Sequence, residues 1–166
     1  MRPRCSLFAL SLILASPAAA QWAVADKNDP AAPLARAFAQ VQSKDGYRLQ
    51  VYRGEDESVW LRFVLRKGFD HLGSCPTYQI DGKAAERSSA DGTSCTVGDR
   101  WAEFSLGRID KNRVRSLVLH RLLNGDKISV RFQLKERGYG EASFSLARSK
   151  QAVTQAIGKS IRIEAE

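Results

Sequence analysis

The sequence predicts a mainly antiparallel sheet protein, either α+β or a decorated β-sandwich, with two or three short helices and one disulfide. Three observations carry that expectation. Apolar residues alternate with polar ones in several separate runs, which is the period of a half-buried strand. Helical spacing is confined to short stretches between those runs. Of the three cysteines, Cys5 lies in an N-terminal leader, which leaves Cys75 and Cys95 as an even pair.

In the leader, "MRPR" is basic, "CSLFALSLILA" (residues 5–15) is uncharged and apolar, and "SPAAAQ" sets Ala18 and Ala20 ahead of Gln21. That order is the secretory signal pattern, so residues 1–20 are expected to be cleaved and the remainder to be periplasmic or secreted. A membrane span needs about 20 apolar residues, so this shorter run predicts no transmembrane anchor. Residues 21–166 suffice for one domain with its own core. The chain carries 26 Lys and Arg against 18 Asp and Glu, a formal net charge of +8. Cleavage would remove Arg2 and Arg4 and leave about +6 (26 − 2 − 18), and for an exported chain such a charge points to an anionic envelope component or an acidic protein as partner, and not to nucleic acid. It also serves plain solubility.

Residues 21–45 read as a linker, "DKNDPAAP", and a short amphipathic helix carrying Leu34, Ala35, Phe38, Ala39 and Val41. Residues 46–166 read as a single β-rich domain. Within it, "YRLQVYR" alternates with Tyr47, Leu49 and Val51 on one face, and "SVWLRFVLRK" with Val59, Leu61, Phe63 and Leu65. "GEDE" between them is a compact polar connection, so the two runs form a hairpin. "RWAEFSLGR" alternates through Ala102, Phe104 and Leu106. The spacing of Val114, Leu117, Val118 and Leu122 predicts a helix over 111–123, capped by Asp110 and ended by Asn124-Gly125 with the glycine left-handed. Two strands about an Asn-Gly turn are the rival reading. "KISVRFQLKER" is a strand with Ile128, Val130, Phe132 and Leu134 inward. "GYGE" is the expected turn, and "ASFSLAR" returns. Ser149 is the expected cap of a helix over "KQAVTQAIGK" that stops at Gly158, and "IRIEA" is a last edge strand.

Cys75 and Cys95 are too far apart in sequence for Cys-x-x-Cys redox chemistry, and with His71 and His120 they make no short metal-ligand pair. In an oxidising compartment they read as a disulfide worth about 3 kcal/mol, with neither metal nor cofactor expected. The loop they close holds two turn signals, "IDGK" and "SSADGTS".

Catalytic signatures are missing: there is no nucleophile elbow, phosphate loop or zinc helix motif. His120 sits among leucines, as a histidine at a core edge does. His71 beside Asp70 is the one pair that would orient an imidazole, and a turn at the disulfide loop explains it as well. The strongest binding pattern is a set of polar-face residues, Arg48, Trp60, Arg62, Arg66, Arg131 and Lys135, with Tyr52 interleaved. Arg and Trp concentrate at binding hot spots. If their strands are neighbours, they make one basic sheet face; an exposed sheet also needs polar residues on its wet side.

The order of a signal peptide, a β-rich domain, a central cysteine pair, "LLNGDKISVRF" and the tail "FSLARSKQAVTQAIG" resembles the invasion-associated locus B family of small bacterial periplasmic proteins, over roughly residues 47–158. The resemblance implies a β-sandwich-like envelope protein linked to host-cell entry or envelope maintenance. It carries over no functional residues. The expected function is thus a non-enzymatic binding or accessory module using a basic sheet face. The alternatives are an assembly factor binding another protein through an apolar surface, an edge strand or the 111–123 helix, and an enzyme using His71 and Asp70.

Overall fold

The computed structural model of the protein describes residues 21–26, 37–68, 70–86, 92 and 95–165. Its largest unit is an antiparallel sheet of β1 (Ala23–Asp26), β2 (Ala37–Gln42), β3 (Arg48–Arg53), β4 (Ser58–Val64), β7 (Trp101–Arg108) and β6 (Thr96–Val97), side by side in that order. A second antiparallel sheet is ordered β10 (Gly138–Ser145), β9 (Lys127–Leu134) and β5 (Thr77–Ile80). β8 (Arg113–Arg115) and β11 (Arg162–Glu164) form a parallel pair. The helices are α1 (Leu117–Asn124) and α2 (Ser149–Ile157). The architecture is a mainly β, α+β fold with one disulfide.

Alternation makes the core. Leu49 and Val51 on β3, Leu61 and Phe63 on β4, and Ala102, Phe104 and Leu106 on β7 all turn to one side and are buried. The other sheet turns Tyr78, Ile128, Val130, Phe132, Ala142 and Phe144 toward them, and all belong to one apolar cluster. Phe63 lies 5.0 Å from Phe132 and 6.4 Å from Phe144 between ring centres, and Tyr78 meets Phe104 edge-on at 5.0 Å. The helices close the rest of this layer, α2 packing on β1, β2 and β3 through Ala152, Val153 and Ile157. Trp22 ties the N-terminal end down by donating its indole N–H to the Ser145 carbonyl at 2.8 Å. Among the described residues, no helix is long and apolar enough to cross a membrane.

The β3–β4 hairpin, β7, β9 and the strand over 162–164 stand where alternation puts them. Several elements differ from the sequence reading. The linker and helix of 21–45 are replaced, where described, by β1 and β2; Leu34, Ala35 and the leader lie outside the described residues. Phe38, Ala39 and Val41 fit a helix by spacing. Partners on both sides of β2 provide a ladder instead, with Ala39 and Val41 inward and Phe38 on the other face.

The 111–123 helix begins late for a similar reason. Lys111 and Asn112 are left-handed, and residues 113–115 pair with β11, which makes Val114 a buried strand residue. Non-local hydrogen bonds, Ser116 N–H to the Glu164 carbonyl at 2.9 Å and Arg162 N–H to the Asn112 carbonyl at 2.9 Å, replace those of a first helical turn. Ser116 rather than Asp110 caps α1, its Oγ accepting from the Leu119 N–H at 3.1 Å. Gly125 ends α1 with φ −90°, an extended residue and not a left-handed one.

The turn between β9 and β10 lies at residues 135–137, ahead of "GYGE", which is already strand. Gly140 is required there: a Cβ would stand 2.5 Å from the Phe132 ring. Ser149 is the first residue of α2 after a left-handed Arg148, and its hydroxyl donates to the Leu122 carbonyl at 2.9 Å, tying α2 to α1. Asp81 and Gly82 make the expected turn with φ 50° and 70°. The second turn signal, 88–94, lies almost wholly outside the described residues.

Candidate binding face on the six-stranded sheet

The six residues expected to form one basic face are divided between two. Arg48 on β3 and Trp60 and Arg62 on β4 share the outer side of the six-stranded sheet. Arg131 belongs to β9 of the other sheet, and Lys135 follows that strand. Both sheets turn their apolar sides into a common core, so their polar sides look in opposite directions. Arg66 lies beyond β4, its guanidinium 5.8 Å from the centre of the Tyr47 ring at the core's edge. The charges are also met locally. Arg62 Nε lies 3.2 Å from Glu103 Oε1, and Arg131 Nε donates to Glu141 Oε2 at 2.8 Å. A single basic plate is therefore not what the fold presents.

What the six-stranded sheet presents is an ordered array. Cross-strand register aligns Ala25, Phe38, Tyr52, Trp60 and Ser105 in one row across β1 to β7. The next row is Ala23, Gln40, Gln50, Arg62 and Glu103. A third holds Gln42, Arg48, Val64 and Trp101. Because side chains on one face recur every second residue, the polar row lies between an aromatic row and a mixed one that ends in Trp101. Phe38, Tyr52, Ala25 and Trp60 pack into an apolar cluster separate from the main core. Trp101 lies flat on Gly98, where a Cβ would come within 2.3 Å of the indole, and its other partner is the Arg62 guanidinium 4.4 Å from the ring centre.

The polar row is fixed at one end and unsatisfied at the other. The Tyr52 hydroxyl donates to Glu103 Oε1, which Arg62 also faces. Burial, and next the hydrogen bond to Glu103, push the Tyr52 phenol well above its ordinary range, so it stays a donor. Gln50, by contrast, is fully buried, and neither its Nε2 nor its Oε1 has a hydrogen-bond partner; Gln40 Oε1 is likewise buried and unpaired. A buried polar group left unpaired costs about 1–3 kcal/mol, so such groups are rare. Both helices and the second sheet pack on the opposite side of these strands.

The sequence placed Arg48, Tyr52, Trp60 and Arg62 on one face and passed over Gln40, Gln50, Trp101 and Glu103. The signal for the last three was present, since they fall in opposite phase to Leu49, Ala102 and Phe104. Gln40 was lost with the misread helix.

The His71–Asp70 pair does not form. Asp70 Oδ1 faces Arg137 Nε at 3.1 Å, while His71 stands between two other carboxylates, Nδ1 2.6 Å from Glu136 Oε1 and Nε2 3.5 Å from Asp99 Oδ2. With a carboxylate at each ring nitrogen, this imidazole ties the end of β9 to the loop before β7. The hydrogen bond from the His71 side chain, followed by that from its backbone N–H, holds the Glu136 carboxyl below the usual carboxylate range. A folded-state value lowered in this way adds stability that is present above the unfolded carboxylate value and is lost as pH falls through the folded one. The urea midpoint of Glu136→Gln is therefore expected to fall less than that of the wild type between pH 6 and pH 3. Parallel curves would show that the pair contributes nothing. A separate cleft of about 660 Å³ lies between the β3–β4 turn and the end of α2; the Arg53 in its wall is already held by Glu57 and by the Ile157 carbonyl at 3.3 Å.

Compared with known proteins, the chain matches no family model, no curated protein and no solved structure.

Proposed function

We propose that the protein is an exported, non-enzymatic binding or accessory module of the bacterial envelope, of the kind the resemblance to invasion-associated locus B proteins implies, and that it binds through the outer face of its six-stranded sheet. The observation that carries this reading is the cross-strand row of partly exposed Gln40, Arg62 and Glu103 beside the partly exposed Trp60, on the outer side of the six-stranded sheet. The secretory pattern of residues 1–20 supports export, and the charge of about +6 left on residues 21–166 once Arg2 and Arg4 are removed (26 − 2 − 18) favours residence near anionic envelope surfaces through long-range attraction. The contact itself is polar and aromatic, because Arg62 is paired with Glu103. Catalysis by His71 is disfavoured by the carboxylates at both of its ring nitrogens.

The test is capture of envelope components on the immobilised protein. Trp60→Ala, on the proposed face, is expected to release the captured component, whereas Arg131→Glu on the opposite sheet leaves capture intact. The reverse pattern, with modest salt eluting the component, would move the function to an ionic contact on the smaller sheet and overturn the assignment. Capture unaffected by both variants would do the same in favour of an assembly surface at an edge strand or at α1.

A further inference from the structure

We propose that, once the leader is removed, Gln21 closes to pyroglutamate, with the Arg148 guanidinium as the hydrogen-bond donor that activates its side-chain amide. The inference rests on the export reading above, which makes Gln21 the first residue of the mature chain, and it adds a modification site to that reading.

Three features lead to it. The first is position. Trp22 is 5% exposed, its indole N–H donates to the Ser145 carbonyl at 2.8 Å, and β1 starts at the next residue, Ala23. The fold therefore holds the chain from Trp22 onward, and Gln21 stands exposed just ahead of it. A cut before Gln21 leaves that structure intact and puts the new α-amine on the surface. The second feature is the contact at the amide. Gln21 Oε1 accepts from Arg148 Nη1 at 2.9 Å. Arg148 is itself anchored, left-handed at φ 66° at the start of α2, with its carbonyl accepting from the Ala152 N–H at 3.2 Å. A cationic donor on a carbonyl oxygen draws charge from the carbon and stabilises the oxyanion that forms when that carbon is attacked. The third is charge. An ammonium at Gln21 would lie within one side-chain length of the Arg148 guanidinium, and like charge favours the neutral amine, which is the nucleophile. An ordinary α-amine titrates at about 8, so some neutral form is present near neutral pH in any case.

The step balances without a co-reactant. The α-nitrogen bonds to Cδ, the Cδ–Nε2 bond breaks, and Nε2 leaves as ammonia with a proton from the amine. Amine and amide belong to one residue, so the attack is intramolecular. Oε1 becomes the lactam oxygen and keeps its Arg148 donor. A cleft of about 330 Å³, lined in part by Trp22, Arg148 and Gln151, lies alongside and gives the ring room. The product has no free α-amine, the group that a protease cutting from the N-terminus recognises.

The experiment follows the intact mass of the full chain, expressed with its own leader, purified in the cold from the fraction it reaches, and then warmed at fixed pH. The expected end point is residues 21–166 with the disulfide formed and one ammonia lost, and fragment spectra place the loss at residue 21. Arg148→Gly suits a left-handed position, so its melting temperature is expected to stay level. Its closure is expected to slow about threefold or more, the range that a single hydrogen bond supports. Arg148→Lys keeps a cationic donor and is expected to recover part of the rate. If Arg148→Gly does not fold, Arg148→Asn, which also tolerates left-handed backbone, takes its place. A mature chain that starts at Gln21 and keeps its ammonia would overturn the inference and leave export standing. So would closure equally far along, at every time, in wild type and Arg148→Gly. A chain cut at another residue would remove the modification site, again without touching export. Retention of residues 1–20 would remove both the inference and the export reading beneath it.

Discussion

Phe63→Ala is expected to lower the unfolding free energy by about 3–5 kcal/mol, the largest effect of any single substitution discussed for this protein. Phe63 is fully buried, and its ring reaches across from the larger sheet to Phe132 and Phe144 of the smaller one. It lies 5.9 Å from Tyr47, 5.0 Å from Phe132 and 6.4 Å from Phe144, centre to centre. Truncation removes the apolar area of the ring, leaves a cavity that the strands cannot close without breaking register, and loses three aromatic contacts. Domains of this size hold only about 5–15 kcal/mol in total, so the variant should sit near the edge of folding. Equilibrium urea unfolding of wild type and variant is the measurement. A loss below about 1 kcal/mol would mean that the rings do not meet as described.

Removing the disulfide by Cys75→Ala with Cys95→Ala is expected to cost about 3 kcal/mol, the chain-entropy value for a loop of this length. The two Cα atoms lie 5.9 Å apart, within the ordinary span of a disulfide. Its position makes the prediction more specific. Cys75 stands just before β5, an edge strand of the smaller sheet, and Cys95 just before β6, an edge strand of the larger one. The bond therefore clamps the two sheets together along one open side of the core. The double variant should lose amide-exchange protection first at β5, β6 and Leu72, which bridges Leu134, while the β3–β4 ladder stays protected. Reduced wild type should unfold at the same urea concentration as the double variant. A double variant as stable as the oxidised wild type would leave the staple without a structural role.

Elements whose hydrogen bonds and burial agreed with their own local pattern were legible in the sequence. β4 alternates through Val59, Leu61 and Phe63, and β9 through Ile128, Val130, Phe132 and Leu134, and both are strands because half of each faces the core. The elements that were misread are those where a distant partner outbid local spacing. Residues 37–42 follow helical spacing but lie between β1 and β3, and residues 113–115 gain their ladder from β11, some fifty positions later. Each has an alternative in which its backbone is satisfied, and only the partner strand decides between them.

The sequence by itself determined the secretory pattern at the N-terminus, the charge, the alternation of the long strands and the pairing of Cys75 with Cys95, because each of these depends on residue type and spacing alone. Tertiary structure decided the candidate site. Alternation told which side of its own strand each residue takes, but not which strands lie next to one another. Strand order put Arg62 beside Gln50 and Glu103, and sent Arg131 and Lys135 to the far side of the core. A face is a property of neighbouring strands, so the polar row beside Phe38, Tyr52 and Trp60 emerged only when long-range pairing had set the register.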